Sequence, residues 1–420
     1  MRINRKKYVL IGTLALLAVL IVTVAAVIAL RRPDTETVLE PLGVLAEHAD
    51  EQATELQTET EKGYTYFSNG ATDKTHLCYE EQYQKNAFYV VYVDYKNVVL
   101  DSFGKATVSL VGRNEADINA ERVFQPRAVS GDASFRQIVK TDEEGILRLV
   151  LTFSQVTSAG VQVRALPVEE DATYTLVRAT DGTVRMVFAT EDVKESGLES
   201  ATLTRWADKY ATMRKDFLEL CGGGEPYAGT TDYVLTEELS YLALAGDPIY
   251  VNRQHVSQFL APVGADAVDF SDVAWELVHE MSHTFDGIDG SDLENVWSFD
   301  AEFFANVKMV YVLDKNAYFT EKSYEAYVST LAELNWLDRN IYTSQGFTYL
   351  FLAGVRDDKG VYLAPMKDLF AILRCNGGEI LTESEQFLAF ESAFSEAYGS
   401  SLSGLFKRTE YATVKGTFNT

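Results

Sequence analysis

The stretch His279-Glu280-Met281-Ser282-His283, followed after eighteen intervening residues by Glu302, constrains this chain more than any other. Two histidines four positions apart share one face of an α-helix, about one turn from each other. Their imidazoles can then reach a single metal ion. The chain must build a helix over this stretch, turn back, and bring Glu302 from a second helix as third ligand, leaving a fourth position open for water and substrate. Glu280, beside the first histidine, is placed to take a proton from a water on the metal rather than to bind the metal itself. Zinc suits such a donor set, because it lowers the pKa of a water it binds from 15.7 to about 7. The chain holds only five histidines in 420 residues, so chance explains the pairing poorly.

Local signals agree with a helix there. Ser271 or Asp272 can cap its start, Val273, Ala274, Leu277, Val278 and Met281 turn it toward a core, and it continues through Phe285. Ser298 is the expected cap of the second helix, which runs through Glu302 to about Leu313.

The rest of the chain sorts into four stretches. Residues 8–30 are uncharged and apolar, about 35 Å long as a helix, enough to cross a ~30 Å hydrocarbon core. They predict a transmembrane anchor within residues 1–32, and the preceding Arg2, Arg5, Lys6 and Lys7 keep the N-terminus cytoplasmic and the remainder extracellular, on a bacterial surface. A cleaved signal peptide, with small residues at Ala25 and Ala26, is the rival expectation and would make the protein secreted. Residues 33–62 read as an acidic linker. Residues 63–192 carry short β-type runs, among them 88–93, 106–111, 146–151, 161–165, 174–178 and 184–188, and predict a β-sandwich-like accessory domain with a capacity for glycan contact. Residues 198–420 predict a mainly helical domain around the metal motif. It opens on a helix carrying Leu203, Trp206, Tyr210, Met213, Phe217 and Leu220, which ends at Gly222-Gly223-Gly224. Short extended pieces at 233–235 and 248–251 are candidates to hold an extended substrate by main-chain hydrogen bonds. The expected fold class is therefore α+β: N-terminal transmembrane helix, β-sandwich-like domain, mainly helical metal-binding domain.

Composition excludes some partners. With 37 basic against 62 acidic side chains the net charge is −25, which repels phosphate backbones and argues against nucleic acid. Cys78, Cys221 and Cys375 are too few and too far apart for a disulfide framework or a cysteine-based zinc module. Asp286, Asp289, Asp292 and Glu294 lack the spacing of an EF-hand loop and read as a solvated turn. Tyr342, Tyr349 and His255 are candidates to stabilise an oxyanion.

The metal motif and the placement of Glu302 resemble the gluzincins, zinc peptidases with two histidines from one helix and a glutamate from the next. The segments 275–283 and 299–306 most resemble the enhancin-like peptidases, which act on mucins and other glycoproteins. The likeness covers about residues 200–400. Ser282 and Thr284 depart from the Gly-His-Asn wording common in that family, and the Gly-x-Met-x-Asn motif of the aminopeptidase type is absent. The resemblance implies Zn2+ on His279, His283 and Glu302, Glu280 as general base, and Asn306 as a polar group one turn beyond Glu302 that supports a ligand. It also implies hydrolysis of protein or glycoprotein substrates by a zinc metalloendopeptidase. The alternatives are a zinc exopeptidase of the aminopeptidase kind and a non-catalytic glycan-binding or adhesion protein.

Overall fold

The computed structural model describes residues 36–48, 51–68, 74–100, 106–112, 127–129, 131–154, 156–222, 225–236, 239, 242–260, 273–286, 299–325, 344–357, 365–375 and 382–418. Alternation of period two builds its first half. In the segment Ile146–Ser154, Leu147, Leu149, Leu151 and Phe153 are fully buried, whereas Arg148 and Thr152 between them stay partly exposed.

The strands up to that point are β1 Thr37–Leu39, β2 Gly43–His48, β3 Glu51–Glu55, β4 Thr58–Glu61, β5 Tyr64–Ser68 and β6 Lys74–Gln82. They continue as β7 Phe88–Leu100, β8 Ala106–Gly112, β9 Arg127–Val129, β10 Gly131–Lys140, β11 Ile146–Ser154 and β12 Val156–Pro167. One antiparallel sheet runs β10, β7, β12, β5, β4, with β1 along β12; a second runs β3, β2, β6, β11, β8, β9. Val91, Val93 and Val163 of the first meet Leu77, Leu149 and Leu151 of the second in a shared core, the arrangement of a β-sandwich.

The first sheet is covered on its other face too. Phe88, Val90 and Ile138 pack against Val187 and Val234 of a third sheet. Its strands are β13 Tyr174–Arg178, β14 Val184–Ala189, β15 Thr231–Thr236, β16 Ala243–Leu244 and β17 Ile249–Asn252, in the order β13, β14, β15, β17, β16. β14, β15 and β17 are parallel, and β13 and β16 flank them antiparallel. From the opposite face of this sheet Met186, Phe188, Tyr233, Ile249 and Val251 enter a helical core. That core is built by α1 Thr190–Ser196, α2 Ser200–Cys221, α3 Val256–Leu260, α4 Trp275–His283, α5 Ala301–Lys315, α6 Ser344–Val355, α7 Met366–Cys375, α8 Glu383–Tyr398 and α9 Arg408–Phe418. The layers thus stack as sheet, sheet, sheet, helices. Gly222 ends α2 at φ 59°, and the Arg374 guanidinium fills the place a side chain there would need.

The expected fold class is corrected on two points. Strands fill the first half, and two of them, β13 and β14, join β15, β16 and β17 of the mainly helical second half in a five-stranded mixed sheet rather than in the sandwich. The reason lies in burial: all six residues of β15 are buried, which erases the alternation that marks a strand in sequence. No helix among the described residues is long and apolar enough to cross a membrane, and the apolar run at residues 8–30 lies outside them. Further, β1 to β4 occupy the stretch expected as a linker. There Leu39, Val44 and Ala46 turn inward, while β4 is exposed throughout and its charges disguise it.

A buried ion network ties sandwich to third sheet. Lys140 of β10 sits 2.6 Å from the Asp232 carboxylate of β15 and also pairs with Asp247. Arg185 of β14 holds both oxygens of Asp232 at 2.7 Å and donates to the Asn86 carbonyl at 2.6 Å. Burial by itself raises the Asp232 carboxyl; Lys140 and Arg185 outweigh it and hold the group below its ordinary value. A carboxyl depressed on folding adds stability above its unfolded pKa and loses it as pH falls. Wild-type denaturant stability should therefore drop as pH falls below about 4, and Asp232→Asn, which takes from Arg185 its carboxylate and leaves Lys140 with Asp247 alone, should cost about 3–5 kcal/mol at neutral pH and flatten that acid dependence.

Candidate metal centre

Helix α4 is fastened at its start by two tyrosines from other elements. The Tyr210 hydroxyl of α2 donates to the Val273 carbonyl and lies 3.2 Å from that of Ala274, and the Tyr233 hydroxyl of β15 donates to the Leu277 carbonyl at 2.9 Å. Leu277, Val278 and Met281 are buried against the core, which leaves His279, Glu280 and His283 on the facing edge. The expected caps Ser271, Asp272 and Ser298 lie outside the described residues. Asp300 caps α5, its carboxylate accepting the Phe303 N–H at 3.0 Å. Phe303 and Phe304 then anchor α5 in a cluster with Phe299, Phe347 and Phe390.

This anchoring brings the three expected ligands together. His279 Nε2 lies 3.2 Å from His283 Nε2 and 3.2 Å from Glu302 Oε2, and His283 Nε2 lies 3.5 Å from Glu302 Oε1. A tetrahedral ion with ligand bonds of about 2.0–2.2 Å places its donors about 3.3–3.6 Å apart. The donor set suits zinc in its chemistry, and with one ligand atom from each residue the three lie within 4.8 Å of one another. The two histidine side chains are largely buried, whereas that of Glu302 is 53% exposed, so the cluster faces outward on the glutamate side.

Electrostatics follow from this packing. Hydrogen bonds from His279 and His283 hold the Glu302 carboxyl well below the usual carboxylate range. Burial disfavours a charged His283, but Glu302, Asp286 and Glu280 around it outweigh burial and raise its pKa. Glu280 is pushed up by burial, against the lowering effect of both imidazoles and of the Ala245 N–H that it accepts. A carboxyl raised in this way is suited to take up and release a proton.

A second buried ion pair lies behind the cluster, and the sequence reading passed it over. Lys308, two turns after Glu302 on α5, is fully buried, donates to the Ser282 carbonyl at 2.7 Å and pairs with Asp286. The other oxygen of Asp286 has no hydrogen-bond partner and stands 3.9 Å from His283 Nδ1. Asp286 therefore faces inward toward His283 rather than into a solvated turn. A lone lysine inside the apolar run 303–313 is the signal that could have exposed the pair.

The remaining candidates sort plainly. Asn306 donates to the main-chain carbonyl of Glu302 at 2.7 Å, so that bond buttresses the helix and not the ligand carboxylate. His255 ends a short turn, Arg253–His255, and is not one of the clustered ligands. Tyr349 is exposed on α6, and Tyr342, Asp289, Asp292 and Glu294 lie outside the described residues. The strands near 233–235 and 249–251 are interior, with neighbours on both sides; among the described residues the edge strands of this sheet are β13 and β16, and β16 packs against α4. Cys78, Cys221 and Cys375 are all free thiols, and burial pushes Cys221 up to about 12.

No protein-family model and no curated protein matches the chain. Solved structures similar to it include a family 35 carbohydrate-binding module from Clostridium thermocellum, at 9% identity over 32% of this chain and 98% of that one, with a TM-score of 0.24. The C-terminal CBM6 of LamC, a laminarinase from Zobellia galactanivorans, matches at 12% identity over 29% of this chain and 96% of its own, with a TM-score of 0.20. The CBM32-1, CBM32-2 and M60 catalytic domains of Clostridium perfringens ZmpB match at 10% identity over 91% of this chain but 40% of that one, with a TM-score of 0.37. Likenesses this low do not establish a common fold.

The buried pair behind the cluster yields a test of its own. Lys308→Met leaves the Asp286 charge uncompensated and should lower stability by about 3–5 kcal/mol, whereas Lys308→Met with Asp286→Leu should recover most of that loss in urea denaturation.

Proposed function

We propose that the chain is a zinc metallopeptidase that hydrolyses peptide bonds of protein or glycoprotein substrates. The convergence of His279, His283 and Glu302, with donor atoms within 4.8 Å of one another and buried Glu280 beside them, carries this reading. The gluzincin-like and enhancin-like wording of residues 275–283 and 299–306 supports it.

In this mechanism zinc, when bound by the two imidazoles and the Glu302 carboxylate, supplies Lewis acidity toward water and the scissile carbonyl. Glu280 takes the proton of the attacking water and passes it to the departing amine. The side of β16 that has no strand neighbour among the described residues receives the substrate main chain as an added strand and sets the peptide bond across the site. Substrates blocked at the N-terminus separate the endopeptidase from an exopeptidase, since only the former tolerates the block.

The second reading is a glycan-binding protein without turnover, favoured by the names of the matched modules. One experiment separates the two. Bound zinc and cleavage of glycosylated and deglycosylated mucin-type proteins are measured for wild type, Glu280→Gln and His283→Ala. Wild type and Glu280→Gln are expected to hold about one zinc per chain, His283→Ala to lose it, and Glu280→Gln to cleave at least about 100-fold more slowly. A wild-type protein without zinc, or a Glu280→Gln variant as active as wild type, overturns the peptidase reading; zinc and glycan binding with no cleavage by wild type selects the second.

A further inference from the structure

Beyond His283 the chain does not leave the helix axis at once. Main-chain bonds from Thr284 to Met281, from Phe285 to Ser282 and from Asp286 to His283 wind it through one further tight turn, and the Thr284 hydroxyl donates to the Met281 carbonyl at 2.7 Å. Phe285 stacks on Phe217 of α2, ring centroids 5.3 Å apart, and pins that turn to the core. Asp286 is thereby carried to the inner side of His283, where it is 2% exposed.

A carboxylate withdrawn from water needs partners for both of its oxygens. Lys308 of α5 occupies one of them, and this fully buried ammonium also donates to the Ser282 carbonyl at 2.7 Å. The other, Oδ2, has no hydrogen-bond partner among the described residues and stands 3.9 Å from His283 Nδ1. At that separation the contact is one of charge rather than a hydrogen bond. It still has a direction, because the two nitrogens of the His283 ring face opposite surroundings. Nε2 lies 3.2 Å from His279 Nε2 and 3.5 Å from Glu302 Oε1, whereas Nδ1 faces the buried carboxylate. A neutral imidazole carries one proton, and a carboxylate draws it to the nearer nitrogen. The lone pair then stays on Nε2, the atom turned toward the other candidate ligands.

We propose that Asp286 is a positioning residue for the metal centre: it keeps His283 in the tautomer protonated on Nδ1, and Lys308 holds the carboxylate in place to do so. This rests on the zinc reading above and gives a reason for a lysine inside the apolar body of α5. Lys308 shares its helix with Glu302, so one ammonium ties the second and third ligands to each other through Asp286 and the Ser282 carbonyl. A pair that served packing alone would be replaceable by apolar side chains at little cost to any property. This pair is replaceable for stability and not for zinc.

The test measures zinc affinity by competition with a chromophoric chelator, and urea stability after chelation, for the full-length wild type and Lys308→Met/Asp286→Leu. The double variant strands no charge, so it should keep most of the wild-type stability while its zinc dissociation constant rises by about 10–100-fold. Lys308→Met/Asp286→Asn, closer in shape and also without charge, carries the same comparison if the leucine variant does not fold. Nitrogen NMR of the histidine rings in chelated wild type, at a pH where they are neutral, should place the His283 proton on Nδ1, and in the folded double variant that preference should be lost. Zinc affinity unchanged in the folded double variant, or a His283 proton on Nε2 in the wild type, overturns this proposal and leaves the peptidase reading standing. A wild type that binds no zinc overturns both.

Discussion

The contact on which the architecture depends is the buried carboxylate of Asp232, gripped by Lys140 from the sandwich and Arg185 from its own sheet. With Asp247 also on Lys140, two cations and two carboxylates are removed from water together, and they are tolerated only because each is matched by another. Their geometry fixes how β10 lies against β15, and so how the sandwich lies against the sheet that carries the helical half. Hydrophobic surfaces such as Val90, Ile138 and Val234 give this interface its free energy without fixing its register. The ion network fixes it.

From that sheet outward the candidate ligands are positioned by a chain of ordinary contacts. Tyr233 reaches from the sheet to the first turn of α4, Tyr210 reaches there from α2, and the phenylalanine cluster holds α5 alongside. The three candidate ligands are thus set by rigid elements, not by loops, which suits a site needing sub-ångström placement.

The parts of this structure legible in the sequence are those where pattern and burial agree. The helix spacing around His279 and His283 places both on one edge, and the return of Glu302 follows from its position on the next helix. Strands with one wet face, such as β11, announce themselves by alternation. β15 and β17 show only as the short extended pieces 233–235 and 248–251, because burial leaves them no clean alternation. β7 extends well beyond the run 88–93, since Asp94, Lys96 and Asn97 interrupt the apolar pattern and Asn97 adopts a left-handed conformation at φ 52°. Asp286 and Lys308 were hidden for a different reason: each is unremarkable alone, and only the fold shows that twenty-odd residues of separation close into a single buried pair.

The shortness of β16 has a consequence for how this protein behaves among its own copies. An open sheet edge offers unpaired main-chain groups to any extended chain, including the edge of a second molecule. Two residues, Ala243 and Leu244, offer too short a ladder for such self-pairing to hold by itself. On the proposed peptidase reading, a peptide that also reached His279, His283 and Glu302 would gain contacts that a neighbouring copy's edge lacks. The same brevity that guards against self-pairing would then leave the strand to chains that have somewhere further to go.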